Sequence, residues 1–443
     1  MLRILLPILV LALFLPAQAD PGDTTIVTTF VQELHNFAAG GRDNVETFGF
    51  PSWQTEFGEI YMIYRLECPG PPGDCDPWDR TARLFVQRDL TDSTHEDIEI
   101  ARVITPYDIT GSGRPGSCEW RFDMLDYQSI LREEVTLHSF CDTWIGGNQG
   151  WLVTCTFYFI ENPMPLRPIA VEQLYNFNGL LYGDPSDPID AHLELYFVNV
   201  PAQAEFATVR LWTTGHGQGN THNAAEFSQK THGVQIGFDV YDHLLWRNDC
   251  GSNECSPQGG TWQFNRAGWC PGDRVYPWDV PFLEVTAGGL LDVLPIVEPF
   301  ENHCRPTNPD CVSGSTCPDC NYNSNGHTPP VYTMSGQVIF WTTQAVSTDE
   351  TPAAVPAVAI LHQNYPNPFN PETTIAFALA QAGQAVVKVF DVSGREVTTL
   401  LNRSLNRGQH QLRFDGGGLS SGVYFARLET QGQVFTRKML LLK

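Results

Sequence analysis

The chain has 443 residues, with 50 Asp and Glu against 26 Lys and Arg, a net charge of −24. That sign repels phosphate backbones and anionic lipid headgroups, which excludes nucleic acid and anionic membrane surfaces as partners. The length exceeds what a single hydrophobic core usually serves, so two or three domains are expected.

The first element is MLRILLPILVLALFLPAQAD, in which one arginine precedes a continuous apolar stretch ending in Ala17-Gln18-Ala19. This layout predicts a secretory signal peptide over 1–19, cleaved before Asp20. No later apolar run approaches the roughly 20 residues of a spanning helix, so a mature chain without a transmembrane segment is expected. All twelve cysteines fall between Cys68 and Cys320. An oxidising destination predicts that most of them are disulfide-bonded.

From Thr24 onward, runs rich in Val, Ile, Phe, Tyr and Thr alternate with Gly, Pro, Asn and Asp, as in EIYMIYRLE, TARLFVQ, HLELYFVNV, ATVRLWTT and GQVIFWTT. The pattern predicts an all-β chain, and only short stretches such as Tyr127 to Glu134 look helical. Strands at this spacing suit two β-sandwiches, 20–165 and 166–345, with the junction at NPMPLRP, Asn162 to Pro168. The aperiodic VSTDETPAAVPAV starts a semi-extended linker over 346–360. Beyond it, AVVKVFDVSGREVTTLL and GVYFARLETQGQVFTRKMLLL read as hairpins of a small Ig-like sandwich, 361–443. That tail carries nine basic and five acidic residues, so it is positive while the rest of the chain is strongly negative. It is therefore expected to be a separate unit.

Several constellations can carry chemistry. Cys68 and Cys75 flank PGPPGD, and a bridge there makes a small rigid loop in front of Asp76, Trp78, Asp79 and Arg80. The loop is too short to gain much entropic stability, so positioning is the better account of such a bridge. Taken alone, Asp79 and Arg80 also fit a turn cap with an ordinary surface ion pair. In GHGQGNTHNAAEFSQKTH, His216, His222, Glu226 and His232 are candidate metal ligands, but the spacing is loose and the stretch reads as a glycine-rich loop entering a strand. Cys304, Cys311, Cys317 and Cys320 could hold zinc, or staple a surface loop through disulfides as the compartment favours.

Two resemblances organise these motifs. LHQNYPNPFNPETTIAFAL, LSSGVYFARLE and the terminal RKMLLLK closely resemble the C-terminal sorting domain of type IX secretion substrates. This implies a bacterial source, a route through the periplasm, secretion or surface attachment, and the type IX machinery as partner of 361–443.

The run LECPGPPGDCDPWDRTARLFV, then IARVITPYDITG, FCDTW, AAEFSQKTH and TWQFNRAGWCPG, resembles the peptide-N-glycosidase F family in order along nearly the whole chain before the linker. The resemblance implies two antiparallel eight-stranded jelly rolls side by side with a site between them. It also implies an amidase that cleaves the bond between an asparagine side chain and the first N-acetylglucosamine of an N-glycan. N-glycosylated proteins or glycopeptides are then the partners, no cofactor or metal is needed, and a monomer is expected.

On this resemblance Asp79, Glu226 and Asp142 are the catalytic candidates, and Asp76, Arg80, Trp144, Arg266 and Trp269 the substrate-binding ones. It implies Cys68–Cys75 and Cys250–Cys270 disulfides. Read without it, core packing, the usual fate of a tryptophan in a sandwich, is the better account of the tryptophans. Asp142 stands where the family has glutamate and Phe227 where it has tryptophan. Ala224 and Ser228 replace two cysteines. These departures leave open a non-catalytic glycan-binding or adhesion protein on the same fold. Paired jelly rolls also resemble copper- and ascorbate-dependent monooxygenases, but the His-x-His pairs those enzymes need are missing from the chain.

Overall fold

The computed structural model describes residues 22–343 and 359–443, except 38–40, 71–74, 92–93, 111–112, 163, 165, 283–284, 306–307, 309, 312–319, 321–327, 362–363, 365–366, 368, 380–381, 393, 406–407 and 431–432. The expected signal peptide, the expected linker as far as 358, and Cys317 lie outside the described residues. The chain divides into two compact units, Met1–Thr348 and Asp349–Lys443. The all-β expectation holds throughout. The stretch Tyr127 to Glu134, expected to look helical, is not a helix: it starts at the last residue of the 3-10 turn Leu125–Tyr127, runs through turns and bends, and ends on the first residue of the strand Glu134–Cys141. Glu133, at a φ of 59°, lies outside the right-handed region and precedes the next strand.

In the first unit, one sheet runs Thr24–His35, Trp151–Glu161, Phe57–Glu67, Ser117–Asp123. It faces a second sheet ordered Thr94–Ile104, Thr81–Thr91, Glu134–Cys141, Asp43–Gly49. Period-two alternation builds the core between them: Trp151, Val153, Cys155, Phe157 and Phe159 point inward from one strand and are buried. Residues 167–342 form a second pair of sheets. One is ordered Trp278–Phe282, Phe206–His216, Val331–Thr342, Arg167–Leu181, and the other Tyr196–Asn199, Leu290–Ile296, Lys230–Ile236, Asp239–Leu245.

Strand pairing and shared packing both join the sandwiches. The short strand Asp273–Arg274, from the second half of the chain, pairs with Ile104 and Val103 and extends the first half's sheet. Val331–Thr342 is buried on both faces. Tyr332, Met334, Val338 and Phe340 enter the second core, while Ile339 joins the first. Gln337 and Thr333 meet the first sandwich through polar groups: the Tyr127 hydroxyl donates to Gln337 Oε1 at 3.1 Å, and Arg102 Nη1 donates to the Thr333 carbonyl at 2.9 Å.

At the centre of this junction Glu99 is fully buried between two guanidiniums, with Arg102 Nε at 2.7 Å and Arg83 Nη2 at 2.6 Å. Arg83 also donates to Asn176 Oδ1. Burial alone drives a carboxyl toward neutrality, but the two cations overcome it and hold Glu99 down at about 2.

Disulfides close Cys68–Cys75, Cys250–Cys270, Cys304–Cys320 and Cys118–Cys255, the last running between the two sandwiches. Cys311 is disulfide-bonded too. Sulfurs so engaged are not thiolates available to zinc. Cys141 and Cys155 are free and buried. The tail unit stacks a sheet of Ile360–Leu361, Glu372–Leu379 and Gly408–Asp415 with one of Glu396–Leu405, Gly383–Asp391, Gly422–Thr430 and Gln433–Leu441. Phe369, Phe377, Val387, Val389, Leu428 and Leu441 are in its core.

Candidate active site

The segment leaving the Cys68–Cys75 loop is fixed at every residue that matters. Asp76 is fully buried, and its Oδ1 accepts the Trp78 N–H at 3.0 Å. Its Oδ2 accepts Arg80 Nε at 2.9 Å and the Thr143 hydroxyl at 2.8 Å. Thr105, the residue just past the neighbouring strand Thr94–Ile104, ties the same segment: its hydroxyl donates to the Trp78 carbonyl at 2.9 Å and accepts the Arg80 N–H at 2.8 Å. Asp79 therefore projects from a backbone held on both sides, at the mouth of the strand Thr81–Thr91.

Burial pushes the Asp79 carboxyl up to about 6, against the Arg266 charge, a hydrogen bond from the Tyr107 hydroxyl and the Arg80 charge. Tyr107 is raised in turn, by burial first and then by Asp79.

Glu226 comes from the other sandwich, on the loop between Phe206–His216 and Lys230–Ile236. His222, Asn223 and Ala225 all lie at positive φ just before it, at 57°, 49° and 70°. Left-handed backbone at non-glycine residues is strained, and such strain gathers at functional sites. The Ala225 carbonyl comes so near Gly215 that a Cβ there would sit 1.7 Å from it, which only glycine permits.

Glu226 Oε2 accepts the Gly217 N–H at 2.9 Å and Oε1 accepts Arg266 Nε at 3.2 Å. Burial, with Asp79's charge as the next cause, pushes Glu226 up to about 7 against the pull of Arg266. Two carboxyls, one from each sandwich, thus share a half-buried site with one guanidinium. Interacting carboxyls of this kind titrate as a pair and hold about one proton between them near neutrality.

Arg266 is fully buried and most of its fork is engaged inside the protein. Nη1 donates to the Thr261 and Phe264 carbonyls at 3.2 and 2.6 Å, and Nη2 to the Thr261 hydroxyl at 2.9 Å. Its guanidinium carbon lies 5.0 Å from the Phe227 ring centroid and 4.8 Å from that of Trp269. Trp269 is buried, donates from Nε1 to the Gly215 carbonyl at 2.7 Å and stacks on His216. Asp76, Arg266 and Trp269, expected to bind substrate, are buried: Asp76 bonds Arg80, Arg266 bonds Glu226, and Trp269 lies against the Arg266 guanidinium. Arg80 keeps 21% of its side chain exposed.

Asp142 and Trp144 form an adjoining surface, tied to the site through the intervening Thr143 and its bond to Asp76. Asp142 is ion-paired with Arg42 and its side chain is 36% exposed. The Arg42 guanidinium lies 4.5 Å from the centre of the Trp144 ring, which stacks on Phe37 at 5.3 Å. Trp144 is 56% exposed and Trp78, edge-on to Tyr107, is 57% exposed. Open aromatic faces suit the C–H faces of sugar rings.

Sequence reasoning missed Tyr107, Arg42, Phe37 and the exposure of Trp78. Tyr107 had a signal, since it directly follows the Thr-Pro that ends a strand next to Asp79's own. The histidines do not converge: His216 bonds the Thr214 hydroxyl, and His232 Nδ1 accepts the Glu298 N–H. Among the described residues no three His, Cys, Asp or Glu side chains gather as a metal-binding group.

Residues 189–303 match the family model for peptide-N-glycosidase F, C terminal. Peptide-N4-(N-acetyl-β-D-glucosaminyl)asparagine amidase F of Elizabethkingia miricola is 30% identical over 279 residues, which span 59% of this chain and 75% of that one. The chain belongs to the peptide-N-glycosidase F family.

Solved structures agree. Peptide-N-glycosidase F of Flavobacterium meningosepticum, described as a glycosylasparaginase, superimposes with a TM-score of 0.57 at 24% identity, over 73% of this chain and 98% of that one. A crystal structure of peptide-N4-(N-acetyl-β-D-glucosaminyl)asparagine amidase gives 0.58 at 25% identity, with 73% and 98% covered. PNGF-II shares the fold at 15% identity and a TM-score of 0.54, over 75% of this chain and 67% of that one. The fold is thus the paired jelly roll that the family resemblance implies. Residues 363–442 match the secretion system C-terminal sorting domain, which marks the chain for secretion or cell-surface export.

Proposed function

We propose that the protein is an exported amidase that hydrolyses the bond joining an asparagine side chain to the first N-acetylglucosamine of an N-glycan. The observation that carries this reading is the carboxyl pair Asp79 and Glu226, raised to about 6 and about 7 and meeting at Arg266.

Amide hydrolysis needs a base for water, charge stabilisation at the carbonyl oxygen and a proton for the leaving nitrogen. Asp79, the more acidic member, is ionised at neutral pH and takes a proton as the water oxygen bonds to the amide carbon. Glu226, which keeps its proton to higher pH, gives it to the nitrogen as the C–N bond breaks. Aspartate and a glycosylamine leave. Arg80, anchored at Nε by Asp76, has its Nη donors for the amide or sugar oxygens. Trp144 and Trp78 supply sugar-facing rings. Asp142, neutralised by Arg42, acts on the orientation of that surface. The route runs through the periplasm, with residues 361–443 read by the type IX machinery.

The test incubates the purified protein with an N-glycopeptide and follows it by mass spectrometry. Conversion of the glycosylated asparagine to aspartate is expected, and Asp79→Asn should abolish it. Cleavage between the two core sugars, or full activity in Asp79→Asn, refutes the reading.

A further inference from the structure

The segment from Cys250 to Cys270 has a second relationship to the site. Its base is closed by Cys250–Cys270, and Cys255 is joined to Cys118 on the strand Ser117–Asp123 of the other sandwich. Between these fixed points Gln258 is buried with every part of its amide engaged. Its Oε1 accepts the Tyr107 N–H at 2.9 Å. Its Nε2 donates to the Pro271 carbonyl at 2.9 Å and to Asn253 Oδ1 at 3.2 Å.

The next residue completes the hold, since the Gly259 N–H donates to the Tyr107 carbonyl at 2.9 Å. Both backbone groups of Tyr107 are thus fastened by two consecutive residues of the opposite half of the chain. Gly260, at a φ of 59°, lies against the Tyr107 ring, where an added Cβ would be 3.2 Å from it. Gly272 leaves the room Gln258 needs, because a Cβ there would sit 2.2 Å from Nε2. Thr261 then begins the set of contacts to Arg266.

We propose that Gln258, pinned through the Cys118–Cys255 bridge, is a positioning residue for Asp79 that acts through Tyr107. Gln258 touches neither substrate nor the reacting carboxylate. It fixes the main chain of the residue whose hydroxyl supports the ionised form of Asp79. Glutamine suits this place because one end must accept from Tyr107 while the other donates twice; neither a carboxylate nor an apolar side chain does both. The same segment carries Arg266, so one stretch of chain sets the polar partners of both carboxyls.

The inference rests on the reading of Asp79 as the catalytic base, and the experiment separates the two. The pH dependence of kcat/KM on a glycopeptide is measured for the full chain and for Tyr107→Phe, Gln258→Met, their double variant and Asp79→Asn. Gln258→Met keeps the volume while deleting both polar roles, and thermal melting checks that it folds; Gln258→Glu, which keeps the acceptor, serves beside it.

Loss of a hydrogen bond to a carboxylate moves its titration by about one pH unit, so the acidic limb should shift up by about that much in Tyr107→Phe. A smaller upward shift is expected in Gln258→Met, of about half a unit with KM unchanged. The double variant should shift no further than Tyr107→Phe. A limb in Gln258→Met that coincides with wild type, or shifts that simply add in the double variant, overturns the positioning role while an inactive Asp79→Asn leaves the amidase reading standing. An active Asp79→Asn overturns that reading itself.

Discussion

Arg266 Nε lies 3.2 Å from Glu226 Oε1, and the same buried cation is the largest influence opposing the burial of Asp79. One guanidinium therefore restrains two acids contributed by different sandwiches. Three further bonds to Thr261 and Phe264 fix its orientation.

Removing that cation has a definite sign. In Arg266→Ala both carboxyls lose their opposing charge, so both limbs of the pH–rate profile should move to higher pH. The rate at neutral pH should fall by about 100-fold, the order lost with one preorganised charge. In wild type the profile should be bell-shaped, with its maximum between the values near 6 and 7. A wild-type rate that is flat from acid to mildly alkaline pH would count against the pair.

The pair also destabilises the fold at neutral pH. Asp79 rises from an ordinary 3.8 to about 6, so the folded state binds more protons than the unfolded one across that window. Its contribution is fully present below the ordinary value and lost as pH rises through 6. Asp79→Asn should therefore be more stable than wild type by about 1–3 kcal/mol at pH 8 or so, with the gain gone near pH 4. Denaturant melts at the two pH values decide it, and a variant less stable at both would contradict the assignment.

Glu99 behaves in the opposite sense. Its carboxyl is held down from 4.5 to about 2, so its contribution is present above the ordinary value and disappears as pH falls through about 2. Glu99→Gln leaves Arg83 and Arg102 buried without their counterion and should cost about 3–5 kcal/mol at neutral pH. The difference should vanish in strong acid. Urea unfolding followed by tryptophan fluorescence reads it directly, and a neutral effect at pH 7 would mean that water already reaches the triad.

Arg42 links Asp142 to the open face of Trp144. Arg42→Ala should raise KM for a glycopeptide by about tenfold, with kcat within about twofold of wild type. An unchanged KM would remove this surface from the substrate path.

The tail has its own core and its own family match, so its loss should not touch the chemistry. Truncation after Val358 should abolish export to the medium while the protein retained in the periplasm keeps wild-type kcat/KM. Normal amounts in the medium would dismiss the sorting role.

Strand periodicity made the fold class readable, because alternation in runs such as WLVTCTFYFIE reports which side of a strand is dry. The positions of Asp79 and Glu226 were readable as motifs. Their raised affinities for protons were not, since these depend on burial beneath a second sandwich and on a charge 40 residues away from Glu226 in Arg266. Local pattern likewise gave no means of telling that Trp269 packs inward while Trp144 stays open, because both lie in irregular chain beside glycines. The Cys118–Cys255 pairing, with a separation of 137 residues, is a property of how the sandwiches meet and leaves no trace in spacing.

The two-residue strand Asp273–Arg274 bears on how the chain must be made. Until ribosome and translocon have delivered residue 273, the strand Thr94–Ile104 has an unpaired rim, and unpaired rims recruit other chains. The first sandwich is thus finished only by residues synthesised more than a hundred positions after its own last strand. Folding after delivery of the whole chain suits this wiring better than folding half by half. A fragment ending at residue 165 is expected to aggregate when produced alone.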